Sequence, residues 1–306
     1  MKSSVVEVEV AVTPVSAVPQ KTAQKSVWSE LIKARLTTLV VLTTGAGFYA
    51  GWTSPMNWAL LFHTVMGTAL VASGAAALNQ LLERDYDALM RRTENRPLPS
   101  GRLTPETVLL VGGVLSALGL VYLALAVNLL TAVLGAITWL LYLWVYTPLK
   151  RVTTLNTAIG AIPGALPPLM GWTAARNDIS PEGWTLFAIL FFWQLPHFLA
   201  IAWMYKEDYK RGGFVMLPVV DPDGRRTASH ALSHTLGLLA VSLSPFVFRL
   251  GGVIYLSAAL ALGIVFLAAA IRFARTLSVA GARTLFFVSI IYLPLLLTAL
   301  AIDKVK

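Results

Sequence analysis

Three side chains with oxygen atoms recur every four residues near the start of the segment 79–103. They are Asn79, Glu83 and Asp87, and on a helix this i, i+4, i+8 spacing places them along one stripe. The two carboxylates lie one helical turn apart, close enough to share a divalent cation. Proteins bind Mg²⁺ through one or two carboxylates together with substrate phosphates. The stripe therefore predicts a magnesium site for a substrate that carries phosphate.

Arginines follow the stripe directly, at Arg91, Arg92 and Arg96. A planar guanidinium group binds phosphate oxygens through paired hydrogen bonds, which makes Arg92 and Arg96 candidates for diphosphate binding. Basic residues are also expected in any charged cytoplasmic loop of a membrane protein, so both interpretations stay open for each arginine. The carboxylates favour a functional interpretation, because ionised groups at the edge of hydrocarbon are energetically unfavourable.

The chain around this segment is strongly apolar. Of its 306 residues, 57% are hydrophobic and only 13% are charged, whereas about 25% of the residues of a soluble domain are charged. This composition predicts a membrane protein. The absence of cysteine excludes disulfides, thiolate nucleophiles and cysteine-ligated zinc. The net charge of +9 is explained by membrane topology, and no nucleic-acid partner is expected.

Intervals without Asp, Glu, Lys or Arg predict where the chain crosses the lipid bilayer. A transmembrane helix needs about 20 residues. The intervals 36–82 and 107–149 have 47 and 43 residues, so each is expected to hold two helices, with turns at 51–55 and Asn128. Five more intervals fit one helix each: 152–175, 183–205, 227–248, 250–271 and 284–302. The sequence thus predicts an all-α polytopic membrane protein with nine transmembrane helices.

The distribution of lysine and arginine predicts the orientation of these helices. The N-terminal segment and the loops after the second, fourth, sixth and eighth helices hold 20 of the 24 basic residues. By the positive-inside rule these parts are cytoplasmic, and after nine crossings the C-terminus lies on the opposite side. Residues 1–27 are expected to form a flexible cytoplasmic tail, and residues 28–306 one membrane domain.

Two further groups of residues are candidates for the same chemistry. Lys150 and Arg151 follow the fourth predicted helix, where they could contact a diphosphate or serve topology alone. The aromatic residues before them could line an apolar cavity and bind a cation, or could form an interfacial belt. These aromatic candidates are Trp139, Tyr142, Trp144 and Tyr146.

A second charged cluster follows the sixth predicted helix. His197 and Asp208 are 11 residues apart, close to three helical turns, so they share a face if the helix continues between them. Lys206 lies beside Asp208 in this cluster. Four helices separate the two clusters, which suggests two similar half-domains that each present an acidic helix end.

Three stretches of the sequence resemble one enzyme family. NxxxExxxDxxMxRTxxRPLPSG at 79–101 looks like the first motif of the intramembrane aromatic prenyltransferases related to 4-hydroxybenzoate polyprenyltransferase. The fuller pattern resembles one branch, the protohaem IX farnesyltransferases or haem O synthases, through MRRTENRPLPSG at 90–101 and two more stretches. They are YTPLKRVTTLNTAIGAIPGALPPLMGW at 146–172, and WQLPHFLAIAW followed by DY at 193–209.

The resemblance implies a helical bundle around a central cavity, open to the lipid bilayer and capped by charged cytoplasmic loops, in a bacterial plasma membrane. It implies that farnesyl diphosphate is bound with Mg²⁺ and that farnesyl is joined to a vinyl group of haem B, with addition of water, to give haem O. A haem A synthase or a terminal-oxidase assembly protein would be a downstream partner.

The resemblance also implies roles for individual residues. Asn79, Glu83 and Asp87 match the first metal and diphosphate motif, and Arg92 and Arg96 match its phosphate-binding arginines. Asp208 matches an acidic metal ligand of the second motif. Lys150, Arg151 and Lys206 are expected to help bind the diphosphate, and Tyr142 and Tyr146 to line the prenyl cavity.

His197 stands where the aromatic prenyltransferases commonly have an aspartate. Neutral imidazole is a poor ligand for Mg²⁺ and a good ligand for haem iron. His197 is therefore interpreted as an axial haem ligand, as an acid or base near the vinyl group, or as a hydrogen-bonded core residue. His230 and His234, four residues apart, form a further possible haem or metal pair without an evident third ligand.

Two other functions remain open. A prenyltransferase with an aromatic or quinone-precursor acceptor would share the fold, although His197 argues against it. A transporter or a non-catalytic haem-handling protein would place ionisable groups or broken helices near the bilayer midplane, whereas these carboxylates lie at helix ends. Dependence of activity on Mg²⁺ and on Glu83 would distinguish an enzyme from a carrier.

Overall fold

The computed structural model describes residues 27–53 and 55–305, so the predicted tail lies outside the described residues except for Val27. The described part is helical, with one isolated β-bridge between Gly251 and Lys304. A π-helical turn, Leu141–Tyr146, joins α5 to α6, and a 3-10 turn, Leu217–Val219, follows α9. The α-helices are α1 (Val27–Leu31), α2 (Ala34–Gly51), α3 (Trp58–Asp87), α4 (Pro105–Ala126), α5 (Leu129–Leu140), α6 (Thr147–Leu149), α7 (Asn156–Arg176), α8 (Pro181–Met204), α9 (Lys206–Arg211), α10 (Arg225–Val241), α11 (Ser244–Val247), α12 (Val253–Thr276) and α13 (Val279–Ile302).

Seven segments of the described chain are long and apolar enough to cross a membrane. Two further helices, α2 and α7, have 18 and 21 residues and pack within the same bundle. A multi-pass, all-α membrane protein is therefore confirmed, while the number of nine crossings, which would include α2 and α7, stays a prediction. The seven segments are Trp58–Asp87, Pro105–Ala126, Leu129–Leu149, Pro181–Met204, Arg225–Val247, Val253–Thr276 and Val279–Ile302.

Several helices extend beyond the charge-free intervals that predict them. Helix α3 continues past Leu82 to Asp87, and α12 and α13 also include charged residues near their ends. Long charged side chains are compatible with the end of a membrane helix because they can reach water or a charged partner. The predicted seventh helix is instead interrupted between α10 and α11, next to Pro245, which has no amide hydrogen to donate.

Polar side chains fix where four of the long helices begin. Asn57, Thr104, Asn128 and Ser278 each accept a hydrogen bond from the backbone amide three residues further on. Such caps satisfy amide donors that have no partner in the first helical turn. Both predicted turns are confirmed, because α2 ends at Gly51 and Asn128 caps α5.

Two clusters of buried apolar side chains form most of the core. One cluster joins α8, α10, α12 and α13 around residues such as Trp193 and Phe266. The other joins α3, α4, α5 and α7 around residues such as Leu123 and Leu169. Helix α7 contributes to both clusters, because its Trp172 packs in the first. This central helix therefore connects the two groups of helices.

Helices α2 and α7 approach each other closely at two glycines. A β-carbon on Gly47 would lie 1.9 Å from the carbonyl oxygen of Pro168, and one on Gly171 would lie 1.9 Å from that of Thr44. Contact between helix backbones at small residues is typical of helix packing in membranes. The two glycines therefore hold α2 against α7.

We expect Gly171→Ala to destabilise the protein by about 1–3 kcal/mol, the range for overpacked cores, because the added methyl group would push the two backbones apart. Gly113→Ala in α4 is the matched control, since a β-carbon there meets nothing within 4 Å. Thermal unfolding in detergent measures the difference. Equal midpoints for the two variants would show that the close approach does not limit stability.

Candidate active site

A cavity of about 400 Å³ lies between α2, α3, α5, α7 and α8. Apolar and aromatic side chains, including Val71, Trp139, Met170 and Phe198, line most of its wall. One end, which we call the mouth, is lined by charged side chains. This combination suits a substrate with a charged head group and an apolar tail. The charged side chains of the mouth are Lys33, Glu83, Asp87, Arg92, Arg96 and Lys150.

Helix α3 presents the predicted stripe to this mouth. Glu83 and Asp87 line the cavity, and Asn79 is completely buried close behind them. The helix continues through Asp87, so the spacing of one turn between the carboxylates is confirmed. Each member of the stripe has a basic partner. The distances are 2.6 Å from Lys33 Nζ to Asn79 Oδ1, 2.8 Å from Lys150 Nζ to Glu83 Oε1 and 2.6 Å from Arg96 Nη1 to Asp87 Oδ2.

The two lysines of the mouth respond differently to their surroundings. Burial opposes the charge on Lys150, but the carboxylate of Glu83 outweighs burial and raises the pKa of Lys150 above its ordinary value. Burial, followed by repulsion from Arg96, lowers the pKa of Lys33 to about 7. Glu83 therefore favours the charged form of Lys150, whereas burial makes the charge on Lys33 easier to lose.

Lys33 is a residue of the mouth that the sequence analysis does not select. It precedes α2 with a φ of 48°, in the left-handed region that residues with a β-carbon seldom adopt. The side-chain amide of Gln80 donates hydrogen bonds to the carbonyl oxygens of Glu30 and Leu31 and so holds the preceding turn against α3. In the sequence, Lys33 is recognisable only as a lysine that precedes an apolar helix. The positive-inside rule explains a lysine at such a position equally well.

Two tyrosines line the cavity next to the mouth, as predicted. The rings of Tyr142 and Tyr146 stack with centroids 5.8 Å apart, and Lys150 Nζ lies 4.5 Å from the centroid of Tyr146. Both belong to the π-helical turn, a feature frequent at functional sites. Gly160 leaves room for Tyr146, because a β-carbon at Gly160 would lie 2.4 Å from its ring.

The two tryptophans of the same stretch have different positions. Trp139 lines the cavity, and its Nε1 donates a hydrogen bond of 2.9 Å to Ser116 Oγ. Trp144 points outward and is 63% exposed, so its interpretation as a cavity residue is wrong. An outward tryptophan near the end of a membrane helix is typical of an interfacial belt.

The loops after α3 and α8 pack against each other beside the mouth. The guanidinium of Arg92 lies 5.5 and 5.6 Å from the ring centroids of Tyr205 and Tyr209. Met90 from the first loop packs with Phe214 from the second. These contacts hold the Arg92 side chain at the cavity wall.

The second charged cluster does not form the helix face that its spacing suggests. Helix α8 ends at Met204, and Tyr205 interrupts the helix with φ −112° and ψ 27° before α9 begins. His197 and Asp208 therefore do not share one continuous face. The spacing of His197 and Asp208 therefore gives no support for a joint role of the two residues.

Three predicted ligands of the metal or the diphosphate have other contacts and lie outside the cavity wall. Within residues 27–53 and 55–305, no group of three or more His, Asp or Glu side chains is assembled to hold a metal ion. Asp208 is therefore not assembled with the carboxylates of α3 in this structure. The contacts are Asp208 with Arg211, Lys206 with the ring of Trp203, and Arg151 with Tyr86.

His197 faces α13 and does not line the cavity. Its Nδ1 lies 2.7 Å from Ser289 Oγ, and its ring stacks between Trp193 and Phe286 at centroid distances of 5.0 and 5.1 Å. Because the hydroxyl of Ser289 donates to the carbonyl oxygen of Phe286, Nδ1 is the donor and Nε2 keeps its lone pair. This position fits the hydrogen-bonded core interpretation. The haem-ligand and acid–base interpretations stay predictions.

His230 and His234 lie on α10, away from the cavity wall. Their rings stack with centroids 5.6 Å apart, and His234 Nδ1 donates a hydrogen bond of 2.6 Å to the carbonyl oxygen of His230. No third ligand completes a metal site with them in the part of the chain that the structure describes. Their predicted role as a haem or metal pair therefore gains no support from neighbouring side chains.

Residues 40–291 match the UbiA prenyltransferase family. The chain belongs to this family. It is 48% identical over 284 residues to the protoheme IX farnesyltransferase of Solibacter usitatus, an alignment that covers 90% of this chain and 97% of that protein. It is 44% identical over 288 residues to the protoheme IX farnesyltransferase of Koribacter versatilis, covering 90% and 93%. The resemblance in the motifs is thus confirmed.

Solved structures share the UbiA fold at low sequence identity. The structure of a digeranylgeranylglyceryl phosphate synthase superposes with a TM-score of 0.77 at 17% identity, covering 90% of this chain and 97% of that one. A UbiA homologue from Archaeoglobus fulgidus, bound to DMAPP and Mg²⁺, gives a TM-score of 0.65 at 16% identity, covering 90% and 100%. The bundle described above is therefore the UbiA fold.

Proposed function

We propose that this UbiA-family protein transfers the farnesyl group of farnesyl diphosphate to a vinyl group of haem B, which is protohaem IX. Water is added in the same reaction, and the products are haem O and diphosphate. The observation that carries this proposal is the 48% identity, over 90% of the chain, to a protein named protoheme IX farnesyltransferase. The charged mouth and apolar wall of the cavity support a prenyl diphosphate as the donor.

Glu83 and Asp87 are our proposed ligands of Mg²⁺, with Asn79 beside them. Magnesium prefers oxygen ligands, usually one or two carboxylates together with substrate phosphates. Glu83 and Asp87 offer two carboxylates on successive turns of α3 at the cavity wall. The A. fulgidus homologue with Mg²⁺ and DMAPP supports the same chemistry in this fold. Bound Mg²⁺ would neutralise negative charge on the departing diphosphate. Asp208 could join this set only after it leaves Arg211.

The basic side chains of the mouth are proposed to bind the diphosphate. Lys33, Arg96 and Lys150 already lie within hydrogen-bonding distance of the stripe, and Arg92 faces the cavity from the adjoining loop. Ammonium and guanidinium groups stabilise the negative charge that develops as the allylic C–O bond breaks. Because these groups are held in position before the reaction, little reorganisation is needed at that moment.

Tyr142 and Tyr146 are proposed to stabilise the farnesyl cation. Their ring faces line the cavity directly below the mouth, and a cation over an aromatic face is attracted to its π-electrons. The apolar wall would keep bulk water away from this cation. The haem vinyl group then attacks the cation, and water captures the second cation that forms on the vinyl group.

Lys33→Met is expected to raise the KM for farnesyl diphosphate by about tenfold and to change the KM for haem B much less. A hydrogen bond from a charged group contributes about 1.5–3 kcal/mol, and about 1.4 kcal/mol corresponds to a factor of ten. Arg35→Met is the matched control, because Arg35 is an exposed basic residue at the start of the same helix. Equal KM values in the two variants would remove Lys33 from the diphosphate site.

Acceptor choice tests the proposed function. The purified protein in liposomes is given Mg²⁺ and farnesyl diphosphate, together with either haem B or 4-hydroxybenzoate. Farnesylation of haem alone would support the proposal. Farnesylation of 4-hydroxybenzoate with unchanged haem would keep the donor site and overturn the haem assignment. Haem binding without transfer to either acceptor would support a non-catalytic role.

The mouth of the cavity is proposed to face the cytoplasm of a bacterial cell. The loops that carry its arginines and lysines belong to the regions that hold 20 of the 24 basic residues, and such regions stay on the cytoplasmic side. Haem O formed there would be available to a haem A synthase or to a terminal-oxidase assembly protein.

A further inference from the structure

The side-chain amide of Gln194 lies in the apolar part of the cavity. Gln194 belongs to α8, is 5% exposed and lines the cavity wall. Its Nε2 donates hydrogen bonds of 3.1 Å to the carbonyl oxygen of Leu190 and 3.3 Å to that of Ala161. Carbonyl oxygens only accept hydrogen bonds, so the side-chain atom that faces Leu190 and Ala161 must be the nitrogen. The two bonds use both hydrogens of this nitrogen.

The Oε1 atom of Gln194 accepts no hydrogen bond from the residues that the structure describes. Protein atoms of the described residues do not fully enclose this oxygen. Because Gln194 lines the cavity, the oxygen is open to the cavity. A buried amide oxygen without a donor is energetically unfavourable in apolar surroundings. This oxygen therefore requires a donor that comes from the cavity itself.

Gly164 gives the amide its position. A β-carbon on Gly164 would lie 2.0 Å from Gln194 Oε1, so any larger residue would displace the amide. Gly164 lines the same cavity between Pro163 and Pro167. Gly164, which approaches the oxygen this closely, has no side chain that could donate a hydrogen bond to it.

Thr138 and Trp139 of the apolar wall have donors that are already committed, and the buried hydroxyl of Thr68, which has no partner among the described residues, does not bond to Gln194. The hydroxyl of Thr138 donates to the carbonyl oxygen of Leu134 at 2.7 Å, and Trp139 Nε1 donates to Ser116 Oγ at 2.9 Å. Neither can satisfy Gln194. A water molecule is the smallest donor that could approach this oxygen from the cavity, and further polar partners for it would have to come from the bound substrates.

We propose that Gln194 holds the water molecule that is added to the haem vinyl group. This inference rests on the proposed function, in which one water enters the product. The C–O bond of farnesyl diphosphate breaks, and its electron pair leaves with the diphosphate. The vinyl π-electrons form the bond from the terminal vinyl carbon to C1 of farnesyl, which leaves a cation on the inner vinyl carbon.

The water oxygen then bonds to that inner carbon, and one water proton passes to the diphosphate. The Gln194 amide accepts a hydrogen bond from the water and turns the lone pair of the water oxygen toward the cation, without itself taking the proton. Without a water held in this way, the cation would lose a proton from the neighbouring carbon. The product would then be an alkene that lacks one water relative to haem O.

Mass spectrometry of the haem product tests this inference through a ratio that does not depend on total activity. Wild type, Gln194→Leu and the control Thr138→Val are incubated with haem B, farnesyl diphosphate and Mg²⁺. We expect Gln194→Leu to shift the ratio of hydrated to unhydrated product by about tenfold or more toward the alkene, because misplaced reactants react much more slowly. Thr138→Val should keep the ratio of the wild type.

Gly164→Ala is the second variant, for use if Gln194→Leu does not fold. It should shift the ratio in the same direction, because the added methyl group displaces the amide oxygen. A wild-type ratio in a folded Gln194→Leu or Gly164→Ala variant would overturn the inference and leave the proposed function intact. An equal loss of both products would also overturn it, since the amide would then serve an earlier step. Unmodified haem in the wild type would overturn the proposed function instead.

Discussion

Glu83→Gln and Asp87→Asn should each lower kcat/KM for farnesyl diphosphate by about 10²–10³-fold, the range for loss of one preorganised electrostatic group. Both carboxylates line the cavity on successive turns of α3, and both are buried. Each replacement keeps the size of the side chain and removes a negative oxygen from the proposed magnesium site. Initial rates of haem O formation, measured over a range of Mg²⁺ concentrations, would report the effect.

Asp85→Asn is the matched control for these two variants. Asp85 lies between them on the same helix, but its side chain is 79% exposed and pairs with Arg84. We expect its rate and its dependence on Mg²⁺ to equal those of the wild type. Similar losses in all three variants would assign the effect to the net charge of the loop and would exclude a specific metal site.

Lys150→Met should reduce both stability and activity, because it leaves the Glu83 carboxylate without its ammonium partner. The two side chains are only 15% and 6% exposed. Removal of one partner from a buried ion pair destabilises a protein by about 3–5 kcal/mol, and the nearby charge of Lys33 should keep the effect at the lower end. Thermal unfolding and the rate of transfer, measured on the same detergent preparation, would separate the two consequences.

A double variant separates the structural role of Lys150 from its proposed role at the diphosphate. Lys150→Met combined with Glu83→Gln removes both charges, so it should recover most of the lost stability. It should not recover activity. Arg151→Met is the control on the same loop, because Arg151 lies outside the cavity wall. An active double variant would contradict the assigned role of the Lys150–Glu83 pair.

The stripe on α3 could be predicted from the sequence because its geometry is local. The helical repeat alone brings Asn79, Glu83 and Asp87 to one face, and the helix continues through all three. Lys33 and Gln194 could not be found in this way. Lys33 donates a hydrogen bond to Asn79, which is 46 residues away in the sequence. The amide of Gln194 donates one to Ala161, which is 33 residues away. Such contacts depend on how the helices pack against each other, and the spacing of residues within one helix does not predict that packing.

Predictions based on spacing failed where the helix is irregular. His197 and Asp208 fit one helical face only if the turns are continuous, and the interruption at Tyr205 ends that relation. Trp144 and Tyr146 are both candidates from one apolar stretch, but residues two positions apart lie about half a turn from each other on a helix. Trp144 therefore faces outward where Tyr146 lines the cavity.

The mass of haem after reaction is the most direct test of the central claim. Purified wild-type protein in liposomes is incubated with haem B, farnesyl diphosphate and Mg²⁺, with parallel samples that contain EDTA or the Glu83→Gln variant. We predict a mass gain of one farnesyl group plus one water in the complete wild-type reaction, no gain with EDTA, and only a small fraction of the wild-type product with Glu83→Gln in the same time. Haem of unchanged mass in the complete reaction, or an equal gain in the presence of EDTA, would contradict the account.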